Sequence, residues 1–199
     1  GCATARDIAA QGFRVLVAEE HPSVGEPLQC SGFISSRALE LSRVSNQVIL
    51  NKLKGALLYT PDNRIFNLVS ERIYGLAIDR VAFDQELAAQ AGAAGAEIRS
   101  SSRVVHLAGI PGGVKARIQK RCSAAIDQNV SCRLVIGADG YNSLVARWLG
   151  LPHPSQKVFI YSAEVELLST SEQVVEIFLG QWFAPGWFAW VIPIGPGLA

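Results

Sequence analysis

The run Leu134-Val135-Ile136-Gly137-Ala138-Asp139-Gly140-Tyr141-Asn142-Ser143, continuing into Leu144-Val145-Ala146-Arg147-Trp148-Leu149-Gly150, decides how the rest of the chain is read. Its first three residues are a short apolar run of the kind that builds a buried strand. Gly137 and Gly140 then bracket Asp139 in a tight turn, where side chains would obstruct a close ligand. Asn142 or Ser143 can cap the helix that follows, whose Leu144, Val145, Trp148 and Leu149 recur at helical spacing. A carboxylate held between glycines at the C-terminal end of a strand is well placed to grip hydroxyls of a sugar-like chain. An ordinary strand-turn-helix junction has the same pattern, so the reading needs support from elsewhere.

That support comes from the first twenty residues. Gly1 opens a helical run over 2–11, which Gly12 ends as a C-cap. Arg14-Val15-Leu16-Val17-Ala18 follows as a strand, with Glu19 and Glu20 at its end. An acid just after the second strand is where a dinucleotide fold holds ribose hydroxyls. Gly1 takes the place of the last glycine of a G-x-G-x-x-G fingerprint, and the chain holds no Met. The sequence therefore reads as a fragment that begins inside the motif, with the first strand missing.

Composition sets bounds on function. The 199 residues suffice for one domain and part of another, and 49% hydrophobic with 18% charged residues is globular. A net charge of +1 gives no footprint for nucleic acid. No apolar run reaches the length of a membrane span. Cys2, Cys30, Cys122 and Cys132 lack C-x-x-C spacing, and His21, His106 and His153 are scattered, so no metal site is expected. Thiols kept reduced fit a cytoplasmic setting.

Along the chain, residues 21–37 form a long loop rich in Pro, Gly and Ser, a length that in compact domains often serves function. A short helix is expected at 36–42, and 56–60 and 65–69 flank Pro61-Asp62-Asn63-Arg64 as a hairpin. Residues 73–78 read as a strand, 83–94 as a helix ended by Gly95, and 96–99 as another strand. From Val104 to Ile136 the chain meanders through β-like runs, with turns at 111–113 and 127–129. Beyond Pro152, the runs 158–167, 174–179 and 187–193 read as strands of a second sheet.

Taken together, these pieces resemble the geranylgeranyl reductase family of flavoproteins, within the para-hydroxybenzoate hydroxylase-like FAD fold. Gly1-x-x-x-Ala5 with Glu19 resembles the tail of the first FAD fingerprint and its ribose-binding acid. Arg80-x-x-Phe83-Asp84-x-x-Leu87 is similar to the segment whose Arg contacts FAD. Gly137-Ala138-Asp139-Gly140-x-x-Ser143 is similar to the G-A-D-G signature and is the most specific match. By the same resemblance Val104 touches the adenine end through its backbone. Pro27-Leu28-Gln29-Cys30-Ser31-Gly32 resembles the Cys-containing loop beside the isoalloxazine. Phe188-Ala189-Trp190-Val191-Ile192-Pro193 resembles the Y-x-W-x-F-P motif lining the prenyl pocket, with Phe188 and Ile192 replacing its Tyr and Phe. The missing Tyr hydroxyl removes any proton-donating role at Phe188.

The resemblance implies an α/β fold: an FAD-binding Rossmann-like domain of the para-hydroxybenzoate hydroxylase type over 1–152, with inserted strands at about 56–78 on the substrate side. Part of a β-sheet substrate domain follows over 153–199. It implies FAD as cofactor, NADPH or ferredoxin as electron donor, and a geranylgeranyl (polyprenyl) lipid or pigment precursor as substrate. Peripheral membrane association follows from a lipid-like substrate. Gly1, Glu19, Cys30, Ser31, Gly32, Arg80, Val104, Gly137, Asp139 and Gly140 are the expected cofactor residues. Trp187, Phe188, Trp190 and Pro193 are the expected substrate residues, and Cys30 the catalytic candidate, through flavin contact or proton supply. By strand alternation Phe188, Trp190 and Ile192 share one face, which would serve a tunnel wall or an ordinary core equally. The rival readings are an FAD-dependent monooxygenase of the same fold, and a fragment that by itself retains no FAD and is inactive.

Overall fold

The computed structural model describes every residue except 122–126, 153 and 167–171. Cys122, His153 and Leu167 therefore lie outside the described residues. The elements run, in chain order, α1 (Cys2–Ala9), β1 (Leu16–Ala18), β2 (Phe33–Ile34), α2 (Ser36–Ser42), β3 (Ile49–Leu53) and β4 (Gly55–Tyr59). Next come β5 (Ile65–Val69), β6 (Gly75–Ile78), α3 (Arg80–Ala93), β7 (Glu97–Arg99), β8 (Ser102–Ile110) and β9 (Gly113–Lys120). The last are β10 (Gln128–Cys132), α4 (Leu144–Trp148), β11 (Val174–Leu179) and β12 (Phe188–Val191). The chain divides into two compact units, Gly1–Pro27 with Asp84–Ser155, and Leu28–Phe83 with Gln156–Ala199.

In the first unit, β1 and β7 pair in parallel, Leu16 opposite Glu97 and Ala18 opposite Arg99. Helices cover this pair through small side chains. Ala5 and Ala9 of α1, Ala91 of α3 and Ala96 form a buried cluster, with Cys2, Val15, Val17 and Ile98 packed against it. Alanines at these positions let helix and strand backbones approach closely while retaining helix propensity. α1 stops at Ala9, two residues short of the expected 2–11 run, and Gly12 turns the chain just beyond it, its N–H bonding to the Ala9 carbonyl with φ at +83°. A three-stranded antiparallel sheet, β8-β9-β10, completes the unit. Its inner face carries Leu107, Ala116 and Ile118, all buried.

The second unit holds two sheets, β12-β11-β4-β5 and β2-β6-β3. β4 and β5 form the expected hairpin, while β4 pairs in parallel with β11 and β11 antiparallel with β12. Leu53, Ala77, Val175 and Ile192 make the core that joins the two sheets. Leu53 is 1% exposed. Leu53→Ala is expected to destabilise the protein by about 2–5 kcal/mol, read as a lower urea midpoint at unchanged slope. A loss under about 1 kcal/mol would show that the site collapses around the smaller side chain.

Two expected strands do not form. Leu134-Val135-Ile136 lies outside every ladder among the described residues, with Leu134 72% exposed. Val158 to Glu164 likewise lies outside every named strand; Val165 exchanges backbone hydrogen bonds with Ala199 and Glu166 bridges to Leu198, with no longer ladder among the described residues. Apolar alternation favours an extended backbone, but a strand requires a neighbour to take its N–H and C=O groups. In the opposite direction, Gln128 and Asn129, expected in a turn, belong to β10 because β9 offers them a complete ladder opposite Ile118 and Arg117.

Candidate functional site

In the first unit, α1 and β1 run in opposite directions through the turn at Gly12, so Gly1 and Glu19 fall at the same end of the β1-β7 pair. A Cβ added at Gly1 would stand 3.5 Å from the Cβ of Ala138, so the start of α1 lies directly against the Gly137–Gly140 turn. No side chain caps α1. Its first-turn N–H groups and the positive end of its dipole therefore remain available to an anion. Burial pushes the Cys2 thiol up, and the nearby carboxylates of Asp84 and Glu19 add to the effect. Cys2 packs against the cluster of Ala5, Ala9, Ala91 and Ala96.

Glu19 is fixed by its backbone. Its N–H donates to the Arg99 carbonyl at 2.9 Å, and its carbonyl accepts from the Ser102 N–H at 2.7 Å. Its Oε1 accepts the backbone N–H of His21 at 2.9 Å and lies 2.8 Å from His21 Nδ1. Oε2 carries no hydrogen bond among the described residues, leaving one oxygen able to accept from neighbouring hydroxyls. Val104 sits in β8 at the point where the register with β9 shifts between Val104 and His106. Sequence reasoning placed His21 as a loop residue and missed its grip on Glu19. The Glu-x-His spacing was the available signal.

Asp139 does two things at once. Its Oδ1 accepts from the Ser143 hydroxyl at 2.6 Å, and its Oδ2 accepts from the backbone N–H of Leu144 at 2.7 Å and of Val145 at 3.2 Å. Ser143 Oγ in turn accepts the Ala146 N–H at 2.9 Å. Residues 139 and 143 therefore cap α4 together. Partial burial works against the ionised carboxyl. Hydrogen bonds from Ser143 and from the backbones of Val145, Asp139 and Leu144 outweigh it and hold the group below the usual aspartate range. Gly137 is required by shape, since an added Cβ would stand 2.9 Å from the Cβ of Val145.

In the second unit, Cys30 and Ser31 are half-buried and Gly32 is buried. The Ile78 N–H donates to the Gly32 carbonyl at 2.9 Å, bringing this loop beside the end of β6, two residues before Arg80. Asp79 caps α3 by accepting the Ala82 N–H at 2.9 Å, and the Arg80 guanidinium lies 5.7 Å from the centre of the Phe83 ring. The aromatic stretch is contiguous. Phe188 stacks on Trp187 at 5.2 Å and meets Trp190 at 5.5 Å. Phe188 and Trp190 share a face as alternation predicts; Trp187 precedes β12, so strand alternation does not hold its ring away from Phe188. Trp190 packs on the core made by Leu53, Ala77, Val175 and Ile192. Pro193 is fully buried, and its carbonyl accepts from Asn51 Nδ2 at 2.9 Å. Among the described residues, no group of His, Cys, Asp and Glu side chains is arranged to hold a metal ion.

The profile of an FAD binding domain matches residues 5–185. A digeranylgeranylglycerophospholipid reductase of Methanothrix thermoacetophila is 31% identical over 100% of this chain and 52% of its own length. The protein of that name from Methanosarcina acetivorans is 30% identical over 100% of this chain and 50% of its own. The chain thus spans about half the length of the curated relatives it matches. A solved geranylgeranyl bacteriochlorophyll reductase-like protein of Thermoplasma acidophilum superposes with a TM-score of 0.84 at 29% identity, over 100% of this chain and 52% of that one. Aklavinone-11 hydroxylase, solved with FAD and aklavinone, gives 0.59 at 25% identity over 75% of this chain and 32% of that one. With an acid at the end of β1, an uncapped helix start against a Gly-Ala-Asp-Gly turn, and this profile over most of its length, the chain belongs to the FAD-binding domain family.

Proposed function

We propose that the chain is the FAD-holding part of an oxidoreductase that saturates carbon-carbon double bonds of a geranylgeranyl group on a lipid or pigment precursor. What carries the proposal is the likeness to the reductase-like structure over 100% of the chain at a TM-score of 0.84, against 75% and 0.59 for the hydroxylase. In this reading residues 1–152 are the FAD-binding domain, with strands at about 56–78 serving the substrate-side sheet, and 153–199 belong to the substrate domain.

Each candidate residue then has a task its chemistry suits. Glu19 takes the adenosine ribose hydroxyls on Oε2, because His21 already occupies Oε1. The start of α1 at Gly1 faces the pyrophosphate with its free N–H groups, Arg80 adds positive charge, and Val104 offers its backbone to the adenine. Gly137, Asp139 and Gly140 receive the ribityl arm in a turn already rigid through the α4 cap. Cys30, Ser31 and Gly32 flank the isoalloxazine. Trp187, Phe188, Trp190 and Pro193 wall an apolar site for the prenyl chain and exclude water from it. Reduced FAD, when bound, supplies the hydride for one alkene carbon. The Trp190 ring face stabilises positive charge developing at the other. Cys30 either contacts the flavin or holds the proton that completes the addition. Electrons come from NADPH or ferredoxin, and the lipid substrate brings the protein to a membrane surface.

Glu19→Ala is expected to raise the dissociation constant for FAD about 10- to 100-fold, and His21→Ala severalfold, in a flavin fluorescence titration. Unchanged affinity in Glu19→Ala would remove the ribose assignment. For the reaction itself, full-length protein with FAD and dithionite should convert a geranylgeranyl lipid to products heavier by two hydrogens for each bond reduced. Oxygen-dependent gain of one oxygen atom would contradict the reading and favour a hydroxylase.

A further inference from the structure

Charge is distributed unevenly along this nearly neutral chain. Residues 99–133 hold seven of its 18 Lys and Arg residues but one of its 17 acids, Asp127. Between Arg99 in β7 and Arg133 just past β10 lie the strands of the β8-β9-β10 sheet of the first unit, and their register puts Arg103, Lys115 and Arg117 on one face. Arg103 lies opposite Gln119, His106 opposite Arg117, and Ala108 opposite Lys115. Asn129 and Ser131 of β10 continue the rows beside Arg117 and Lys115. The register shift after Val104 matters here. Without that extra residue in β8, Val105 would share the face with Arg103; with it, His106 points out and Leu107 points in, 4% exposed. The result is a face of Arg103, His106, Lys115, Arg117 and, just past β9, Arg121, all exposed, with the exposed Ile110 at its end beside the β8-β9 turn rather than at its centre.

Two of these cations are ion-paired, Arg103 with Glu20 and Arg117 with Asp127, each at 3.5 Å. Lys115 and Arg121 have no carboxylate partner among the described residues. The Arg121 backbone is held by a 2.9 Å bond from its N–H to the Ser101 carbonyl, so its side chain extends from a fixed point.

We propose that this face is an electrostatic docking surface for anionic lipid bilayers. A flat sheet of cations attracts a plane of negative head groups through several weak, additive contacts without inserting anything. Recognition of a folded acidic protein would call instead for aromatic or aliphatic anchors at the centre of the patch, and Ile110 stands only at its edge. The occupant follows partly from the lipid-substrate reading above. The enzyme would sit at the surface in which its substrate is dissolved, held by a part of the FAD-binding unit that takes no share in the reaction.

The test is flotation of the full-length protein with vesicles of phosphatidylcholine alone and of phosphatidylcholine mixed with phosphatidylglycerol. Binding is expected to the anionic vesicles only, and to fall steeply between about 0.1 M and 1 M salt as the screening length shrinks from about 10 Å to 3 Å. Combining Lys115→Gln, Arg117→Gln and Arg121→Gln should weaken binding about a hundredfold. All three side chains are exposed, so the melting temperature should stay at the parent value, and reduction of a detergent-dispersed geranylgeranyl lipid should be unchanged. Trp182→Ser with Phe183→Ser, in an exposed aromatic loop of the second unit, should leave flotation as it was. The proposal is overturned if the charge variant floats like the parent, if the aromatic variant alone loses binding, or if the protein binds polyglutamate but not anionic vesicles. Failure to reduce the dispersed lipid would count against the proposed function instead, since the flotation result is read without turnover.

Discussion

Gly32→Ala is expected to destabilise the protein by about 3 kcal/mol or more, enough to deplete the folded state of a domain of ordinary stability. Two independent effects add. Gly32 has φ at +71°, a region where a side chain is strained by roughly 1–2 kcal/mol. Its added Cβ would also overlap the backbone carbonyl oxygen of Ile78. That oxygen cannot swing away like the end of a flexible side chain, because Ile78 is in β6 and its own N–H is bonded to the Gly32 carbonyl. Relief requires separating the loop from β6, which pulls on the pairing of Phe33 with Ala77, a residue 0% exposed. Gly12→Ala is the natural control. Its φ of +83° is as unfavourable, but nothing lies within 4 Å of the added Cβ, so only the strain should appear, about 1 kcal/mol. Equal losses in the two variants would mean that the approach of Gly32 to Ile78 is not maintained in solution. Gly32 is therefore required by the chain's own backbone, whatever ligand sits beside the loop.

Removal of the Asp139 carboxylate should act on the fold and on FAD affinity together. Asp139→Ala strips the acceptor from the Ser143 hydroxyl and from two backbone N–H groups at the start of α4, an ordinary loss of about 1–2 kcal/mol for a helix cap. If the turn also receives the ribityl arm, FAD affinity should fall by at least tenfold on top of that. Asp139→Asn keeps one acceptor oxygen and should fall between. The pH dependence has a definite sign. The hydrogen bonds lower the folded-state value below the unfolded one, against the opposing effect of partial burial. The carboxylate's stabilisation is therefore complete above the ordinary aspartate range near pH 4 and is lost as pH falls through the lower folded-state value. Parent and Asp139→Asn protein should differ at neutral pH and converge in acid. A constant difference down to pH 2 would show that the charge of Asp139 takes no part in the cap.

The pattern of what the sequence disclosed follows from the range of the interactions involved. α2 at 36–42, the helix expected at 83–94 and found at Arg80–Ala93, the β4-β5 hairpin and β11 at 174–179 follow from local periodicity and punctuation. Each is specified by residues within one or two turns of one another, or across a four-residue turn. The runs at 134–136 and 158–164 form no strand because strand formation depends on a partner that no local pattern encodes. β10 was hidden for the converse reason, since Gln128, Asn129 and Ser131 are poor strand formers that β9 nevertheless pairs. β3 escaped notice too: Ile49-Leu50-Asn51-Lys52-Leu53 lacks clean alternation, and Asn51 owes its place to bonds with the Glu172 and Pro193 carbonyls far along the chain. The same division holds for the candidate site. The positions of Glu19 and Asp139 could be read from strand-end and Gly-Ala-Asp-Gly patterns. What holds them could not: His21 on Glu19 Oε1, and the shared cap of Asp139 with Ser143, are side-chain geometries that residue types permit without requiring.

A crystal structure of the full-length protein with FAD is the most direct check on the central claim that the first unit holds the dinucleotide by these two carboxylate-bearing turns. The expected map has Glu19 Oε2 within about 3 Å of a ribose hydroxyl, His21 still on Oε1, and the ribityl arm against the 137–140 turn. FAD bound with Glu19 facing solvent and the 137–140 turn bare would contradict it.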